Sequence, residues 1–106
     1  MPQYIAIGSH EPSHCPGVNR VMGEVFQKLL EAAPGIAAGH GVQVVMGPVH
    51  LDPAHRILVM LEAPTQDAVQ DALLANRMGQ VQAIELYRAT PLPELFAKTQ
   101  GQEPLY

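Results

Sequence analysis

The chain has 106 residues, of which 47% are hydrophobic and 15% are charged, and its formal net charge at pH 7 is -4. This length fits one domain over residues 1–106. The negative charge argues against electrostatic binding to nucleic acid or to anionic membranes. A single cysteine cannot form an internal disulfide, and no apolar stretch is long enough to span a bilayer. The N-terminus does not resemble a signal peptide, so we expect a soluble, cytoplasmic protein.

The first half of the chain begins with a predicted strand and a predicted helix. Residues 3–9 are apolar on both faces, which is typical of a strand covered on both sides, and Pro12 ends it. Apolar residues spaced three and one apart from Val18 to Ala33 predict an amphipathic helix. Proline is favoured at the first helical position, so this helix is expected to begin at Cys15-Pro16 with Cys15 as the N-cap. Pro34-Gly35 is expected to end it.

The remaining patterns predict three more strands and two more helices. In order, they are a strand over 42–49, a turn over 51–54, a strand over 56–62, a helix from its N-cap Thr65 to Met78 with Gly79 as its stop, a strand over 81–89 and a short helix over 91–98. Gly47-Pro48 indicates a bulge or an edge position in the second strand. Residues 91–106 form a C-terminal extension whose tail, ending at Tyr106, is rich in Gln, Gly and Pro.

This βαββαβ order predicts the fold class α+β. With right-handed crossovers it gives a four-stranded antiparallel sheet in the order 4-1-3-2, with both helices on one face. The other face should be polar if it meets water, yet the strands over 3–9 and 56–62 are apolar on both faces. A second copy packed face to face would cover that surface, so we expect a homodimer.

The element order, the strand patterning and the Gly47-Pro48 ending of the second strand resemble the dimeric α+β barrel group of the ferredoxin-like fold over about residues 3–90. This group includes YciI-like proteins, muconolactone isomerase, small antibiotic-biosynthesis monooxygenases and haem proteins. The resemblance implies the fold and the homodimer. The His and Asp that mark YciI-like proteins have no clear counterpart in this chain, so the resemblance assigns no catalytic residue.

The predicted topology brings chemically active residues to one end of the sheet. The end of the first strand, the start of the first helix and the turn after the second strand share that end. The residues that meet there are His10, His14, Cys15, His50, Asp52 and His55, with Arg77 to Gln80 on the same rim. His40 falls at the opposite end and is interpreted as a loop histidine.

A small-molecule site, with or without enzymatic activity, is the first function that these residues indicate. His10 or His14 would act as acid or base, because imidazole titrates near neutrality. A helix dipole stabilises an anion at Cys15 by about 0.3–1 kcal/mol, so a reactive nucleophile there also requires a nearby histidine. The ligand-binding residues would be Gly17, whose amide and those after it would hold an anionic group, with Asp52 and Arg77.

A transition-metal or haem site that uses the same residues is the alternative. His50 and His55 flank a four-residue turn, and cross-strand Cβ atoms about 4.5–5.5 Å apart suit two imidazoles on one metal. His10 would complete this set, with Cys15 as a fourth ligand. His14 points away from Cys15 in an extended segment, and the spacing matches no specific zinc motif. A non-catalytic dimeric module with incidental loop histidines is the third interpretation.

Overall fold

The fold is α+β in a computed structural model of the chain that describes residues 1–103. Its strands are β1 (Gln3–Ser9), β2 (Gln43–Leu51), β3 (Arg56–Glu62) and β4 (Ala83–Ala89), and its helices are α1 (Arg20–Gly39), α2 (Gln66–Asn76) and α3 (Leu92–Ala97). Within the described residues, no helix is both long and apolar enough to cross a membrane. The end of the predicted C-terminal tail, residues 104–106, lies outside the described part of the chain.

The four strands form one antiparallel sheet in the order β2-β3-β1-β4. This is the predicted order 4-1-3-2 counted from the other edge, and it is compatible with a ferredoxin-like fold. In central strand β1, Tyr4 and Ala6 are buried while Ile5 and Ile7 on the opposite face are only half-buried. The alternation follows from the period of two in a strand, which sends successive side chains to opposite faces.

The core lies between the helices and the face of the sheet that carries Tyr4 and Ala6. It also contains Val69 and Ala72 of α2, which are both buried. Burying a valine side chain contributes about 1.5–3 kcal/mol. α2 begins at the predicted N-cap Thr65, whose hydroxyl accepts a hydrogen bond from the Ala68 amide at 3.2 Å.

The predicted start of α1 is wrong, because Cys15 is not its N-cap. The N-cap is Asn19, whose side-chain oxygen accepts a hydrogen bond from the Met22 amide at 3.1 Å. Residues Pro12–His14 form a separate 3-10 turn, and the Cys15 carbonyl accepts the Asn19 amide at 2.8 Å. The chain therefore makes an additional turn before the helix, and asparagine caps a helix far better than an uncharged thiol does.

The predicted end of α1 is also wrong, because the helix continues through Pro34 to Gly39. Beyond the proline, Ala37 packs against the core, and its carbonyl accepts the Val42 amide at 2.8 Å at the entry to β2. A proline inside a helix removes one backbone hydrogen bond and costs about 3 kcal/mol. Packing of the last turn against the core offsets that cost, which the local sequence pattern does not reveal.

The edge strand β2 is bulged, as Gly47-Pro48 indicated. The pairing of β2 with β3 shifts between Met46 and Val49, so that two residues of β2 lie opposite one residue of β3. Gly47 adopts a φ of +87°, and a Cβ atom there would lie 2.7 Å from the Leu58 carbonyl oxygen. Only glycine fits this close approach, and the bulge decides which face the following residues occupy.

Candidate metal centre

His50 lies on the helix face of the sheet after two pairing shifts in β2, one between Val44 and Met46 and one between Met46 and Val49. It pairs with Ile57, which pairs with Gly8. Gly8 lies two residues after the buried residue Ala6 and therefore on the same face of β1. His10 lies two residues beyond Gly8, just past the end of β1, where a side chain reaches the same face. The Nε2 atoms of His10 and His50 are 3.4 Å apart.

Cys15 brings a sulfur to the same point. Its side chain is buried, with 3% exposure, and its Sγ lies 3.6 Å from Nε2 of His50. The loop holds the thiol inward through two backbone hydrogen bonds: the Cys15 amide donates to the Pro12 carbonyl at 3.3 Å, and the Asn19 amide donates to the Cys15 carbonyl at 2.8 Å. The cysteine is free and faces imidazoles rather than solvent.

His55 completes a four-residue cluster, which we call the His/Cys cluster (His10, Cys15, His50 and His55). His55 has a φ of 52°, and its carbonyl accepts the His10 amide at 3.2 Å, which ties the two loops together. Its ring centroid lies 5.7 Å from that of His10 and 6.1 Å from that of His50. One ligand atom from each residue lies within 4.8 Å of all the others. These four residues are a group that could hold a metal ion.

Asp52 orients the His50 ring. Its Oδ1 lies 2.5 Å from Nδ1 of His50, and an ionised carboxylate only accepts hydrogen bonds, so Nδ1 carries the proton. In neutral His50 the Nε2 atom then holds a lone pair directed at His10 and Cys15. A histidine that ligates a metal usually donates its other nitrogen to a carboxylate in this way. Asp52 is largely exposed, at 85% of its side chain, whereas His50 is at 27%.

The environment of His10 favours its neutral form. Burial is the main cause that lowers the pKa of His10 below 6.5, and the charges of His50 and His55 lower it further. The Phe26 ring packs near it in a T-shaped arrangement, with centroids 6.2 Å apart. Nδ1 of His10 and Nδ1 of His55 are buried with no hydrogen-bond partner among the described residues. Each such unpaired atom lowers the free energy of unfolding by about 1–3 kcal/mol. Unpaired buried polar atoms of this kind are often found at functional sites.

The predicted convergence is therefore present for five residues, the His/Cys cluster and Asp52, whereas His14 lines a cavity together with His10 but is not in the cluster. The His14 side chain is 57% exposed, and its Nδ1 lies 3.2 Å from Ser13 Oγ and 3.6 Å from a Glu11 carboxylate oxygen. The 3-10 turn over Pro12–His14 directs it outward, away from Cys15. His40 caps the C-terminus of α1 at the opposite end of the sheet, as expected.

Gly17 lies beside the cluster, because a Cβ atom built on it would be 3.8 Å from Sγ of Cys15. Gly17 is exposed in the turn that precedes α1, so its amide is not part of the helix N-terminus that was expected to hold an anion. Arg77 ends α2 in the left-handed conformation with a φ of 65°, and its amide donates to the Leu74 carbonyl. The expected helix stop, Gly79, lies in the 3-10 turn that follows.

Two cavities adjoin the cluster. A large apolar cavity of about 920 Å³ lies between the helices and the sheet and reaches His50 at one end. A smaller one of about 440 Å³ is lined by His10, His14 and Gln80, so part of the predicted rim is in place. Sequence reasoning missed Gln82, which lines both cavities and lies directly over Gly8. The isolated glycine in an apolar strand was the available signal of such a close approach.

No protein-family model matches the chain, and no curated protein matches it.

Proposed function

We propose that the protein binds one late first-row transition-metal ion through the His/Cys cluster. The spacing of the ligand atoms carries this proposal. Zinc bonds of about 2.0–2.1 Å to nitrogen and 2.3 Å to sulfur, at tetrahedral angles, place two nitrogens about 3.3 Å apart and a nitrogen and sulfur about 3.6 Å apart. The corresponding separations are 3.4 Å for His10 to His50 and 3.6 Å for Cys15 to His50.

Hydrogen bonding alone accounts for this geometry less well. Neutral His50 donates a hydrogen bond from Nδ1 to Asp52 and therefore offers a single lone pair at Nε2. Both His10 and Cys15 nevertheless approach that atom. A metal ion uses that lone pair and one from each neighbour. Thiolate and imidazole ligands favour zinc, cobalt and copper over magnesium and calcium. A free thiol ligand also requires a reducing compartment, so we propose a cytoplasmic location.

The same distances support a bare ion rather than haem. Two axial ligands on opposite sides of a haem iron, each bonded at about 2.0 Å, stand about 4 Å apart. His10 and His50 are closer than this, at 3.4 Å. The porphyrin nitrogens would also occupy four of the six coordination positions of the iron and leave two for the protein. Four side chains of this chain converge instead.

A small-molecule site or a small enzyme at the same place is the second candidate, because the apolar cavity ends at His50. His10 would hold or move a proton in that case, since its neutral form is favoured near neutrality. Cys15 would act as a nucleophile only in the metal-free protein, because a metal-bound thiolate is not free to attack. Zinc should therefore protect Cys15 from iodoacetamide if the sulfur is a ligand.

Cobalt titration tests the metal proposal. We expect one Co²⁺ per chain, the visible bands of four-coordinate cobalt and a near-ultraviolet thiolate-to-cobalt charge-transfer band. Cys15→Ser should lose the charge-transfer band, and His50→Ala should weaken binding strongly. His40→Ala and His14→Ala are matched controls and should bind as the wild type does. A charge-transfer band that survives Cys15→Ser would contradict the proposed ligand set.

We also propose a homodimer through the open sheet face, defined by Ile5, Ile7, Leu58, Met60, Met46 and Val49. The first four side chains are half-buried and the last two are exposed, although all six are apolar. The chain is also thin and long, with extents of 57 × 32 × 18 Å and a radius of gyration of 16.6 Å against about 13 Å for a compact domain of this length. A second copy would cover this face. Sedimentation equilibrium that detects only an 11.4 kDa species at micromolar concentration would contradict the dimer.

A further inference from the structure

The apolar cavity is long, and His50 of the His/Cys cluster lies at one of its ends. It follows α1 from Gly23, near Pro16 and His50, to Ala38 near the start of β2. At 1.5 Å per helical residue, this path is roughly 20 Å long. The cavity volume of about 920 Å³ is near the upper limit of about 1,000 Å³ for small-molecule sites. A ligand that fills it must be elongated.

The lining restricts the chemistry of that ligand. Among the described residues that line the cavity, none is acidic or basic except His50. The other polar lining groups are neutral amides, of which Asn76 already donates to the Leu29 carbonyl at 3.0 Å. A hydrocarbon body therefore fits this lining best, because the lining offers no oppositely charged partner to a charge placed along the cavity. Only the end at His50 offers a site for a charged group.

We propose that the cavity binds a long-chain carboxylic acid, with the hydrocarbon chain beside α1 and the carboxylate at the metal centre. This inference rests on the proposed metal site, because the metal ion supplies the positive charge that the carboxylate needs. Carboxylate oxygen is an ordinary zinc ligand, and zinc can expand from four to five ligands. The chain is held by burial of its methylenes, each of which tightens binding about fourfold.

Hexadecanoate added to the cobalt-loaded full chain is the direct test, because the cobalt bands report a new oxygen ligand. We expect the bands to change saturably with one hexadecanoate per chain. Tetradecanoate, two methylenes shorter, should bind about fifteenfold more weakly. Hexadecane-1-sulfonate, which coordinates metals poorly, should compete without reproducing the spectral change.

Two alanines of α1 provide a matched pair of variants. Ala37 lines the cavity far from the metal centre, so Ala37→Phe should fill part of it and weaken hexadecanoate binding at least tenfold. Ala32 lies on the same helix but is exposed and does not line the cavity, so Ala32→Phe should leave binding unchanged. Both variants should retain the cobalt spectrum, which also reports correct folding of the site. If Ala37→Phe does not fold, the comparison of hexadecanoate with tetradecanoate on the wild type tests whether the hydrocarbon chain lies in the cavity.

The outcomes separate this inference from the metal proposal. Normal cobalt binding with no response to hexadecanoate would overturn the ligand inference and leave the metal site intact. Hexadecanoate binding that ignores both chain length and Ala37→Phe would place the ligand elsewhere and would also overturn it. A wild-type chain that shows no cobalt bands would overturn the metal site and, with it, carboxylate binding at that site.

Discussion

Replacing Asp52 by asparagine should weaken metal binding without removing a ligand. The asparagine side-chain oxygen can still accept the Nδ1 proton of His50, so the ring keeps its orientation and tautomer while the negative charge is lost. Removal of such a partner typically costs 10–100-fold in metal affinity. Water already screens the Asp52 charge, because 85% of that side chain is exposed. We therefore expect the zinc affinity to fall about tenfold, which corresponds to about 1.4 kcal/mol of binding free energy. Asp52→Ala, which removes the acceptor as well, should approach about 100-fold.

Competition between the protein and a chromophoric chelator for Zn²⁺ measures this affinity directly. Asp71→Asn is the matched control, because Asp71 is an exposed aspartate on α2 and its replacement changes the net charge equally. The reasoning would be refuted if Asp52→Asn bound zinc as tightly as Asp71→Asn and the wild type. That result would mean that the negative charge of Asp52 does not strengthen metal binding by His50, whereas undiminished binding by Asp52→Ala would mean that the 2.5 Å contact does not orient the ring.

Three further outcomes follow from individual contacts. The pKa of His10 is below 6.5 in the fold and near 6.5 when unfolded, so the unfolded chain binds more protons in acid. The free energy of unfolding of the metal-free protein should therefore be highest above about pH 6.5 and should fall as the pH drops through the folded pKa of His10. In urea unfolding, His10→Gln should remove this loss and His40→Gln should not. Gly47→Ala forces a residue with a Cβ into a φ of +87°, and should lower the free energy of unfolding by roughly 1–3 kcal/mol and weaken zinc binding by displacing His50. Ile7→Lys on the open sheet face should give monomers in sedimentation equilibrium, whereas Leu74→Lys, at an exposed position on α2, should not; a dimeric Ile7→Lys would reject the open face as the interface.

The sheet order could be predicted because the periodicity and the turn residues of the chain agree. The apolar runs over 3–9 and 56–62 coincide with β1 and β3, and right-handed crossovers leave one order for the βαββαβ pattern. Convergence of His10, Cys15 and His50 followed from that order without any motif. The bounds of α1 could not be predicted, because the proline rule pointed to Cys15-Pro16 whereas an additional turn places the N-cap at Asn19, and because tertiary packing determines how far the helix continues beyond Pro34.

The details of the cluster depend on features that a sequence pattern does not count. Whether His50 faces the helices or the open side depends on how many residues bulge out of β2, since a shift of one residue reverses the face. The 3-10 turn that directs His14 outward follows from backbone hydrogen bonds near Pro12 rather than from side-chain periodicity. The apolar cavity depends on how α1 lies against the sheet, which a one-dimensional pattern does not specify.

X-ray absorption at the zinc edge of the purified, zinc-loaded protein tests the proposed metal centre most directly, because it counts ligand types without reference to activity. We expect one sulfur at about 2.3 Å and three nitrogens at about 2.0–2.1 Å, with Cys15→Ser losing the sulfur. A shell of nitrogen and oxygen alone in the wild type, or a sulfur that remains in Cys15→Ser, would contradict a metal centre built from His10, Cys15, His50 and His55.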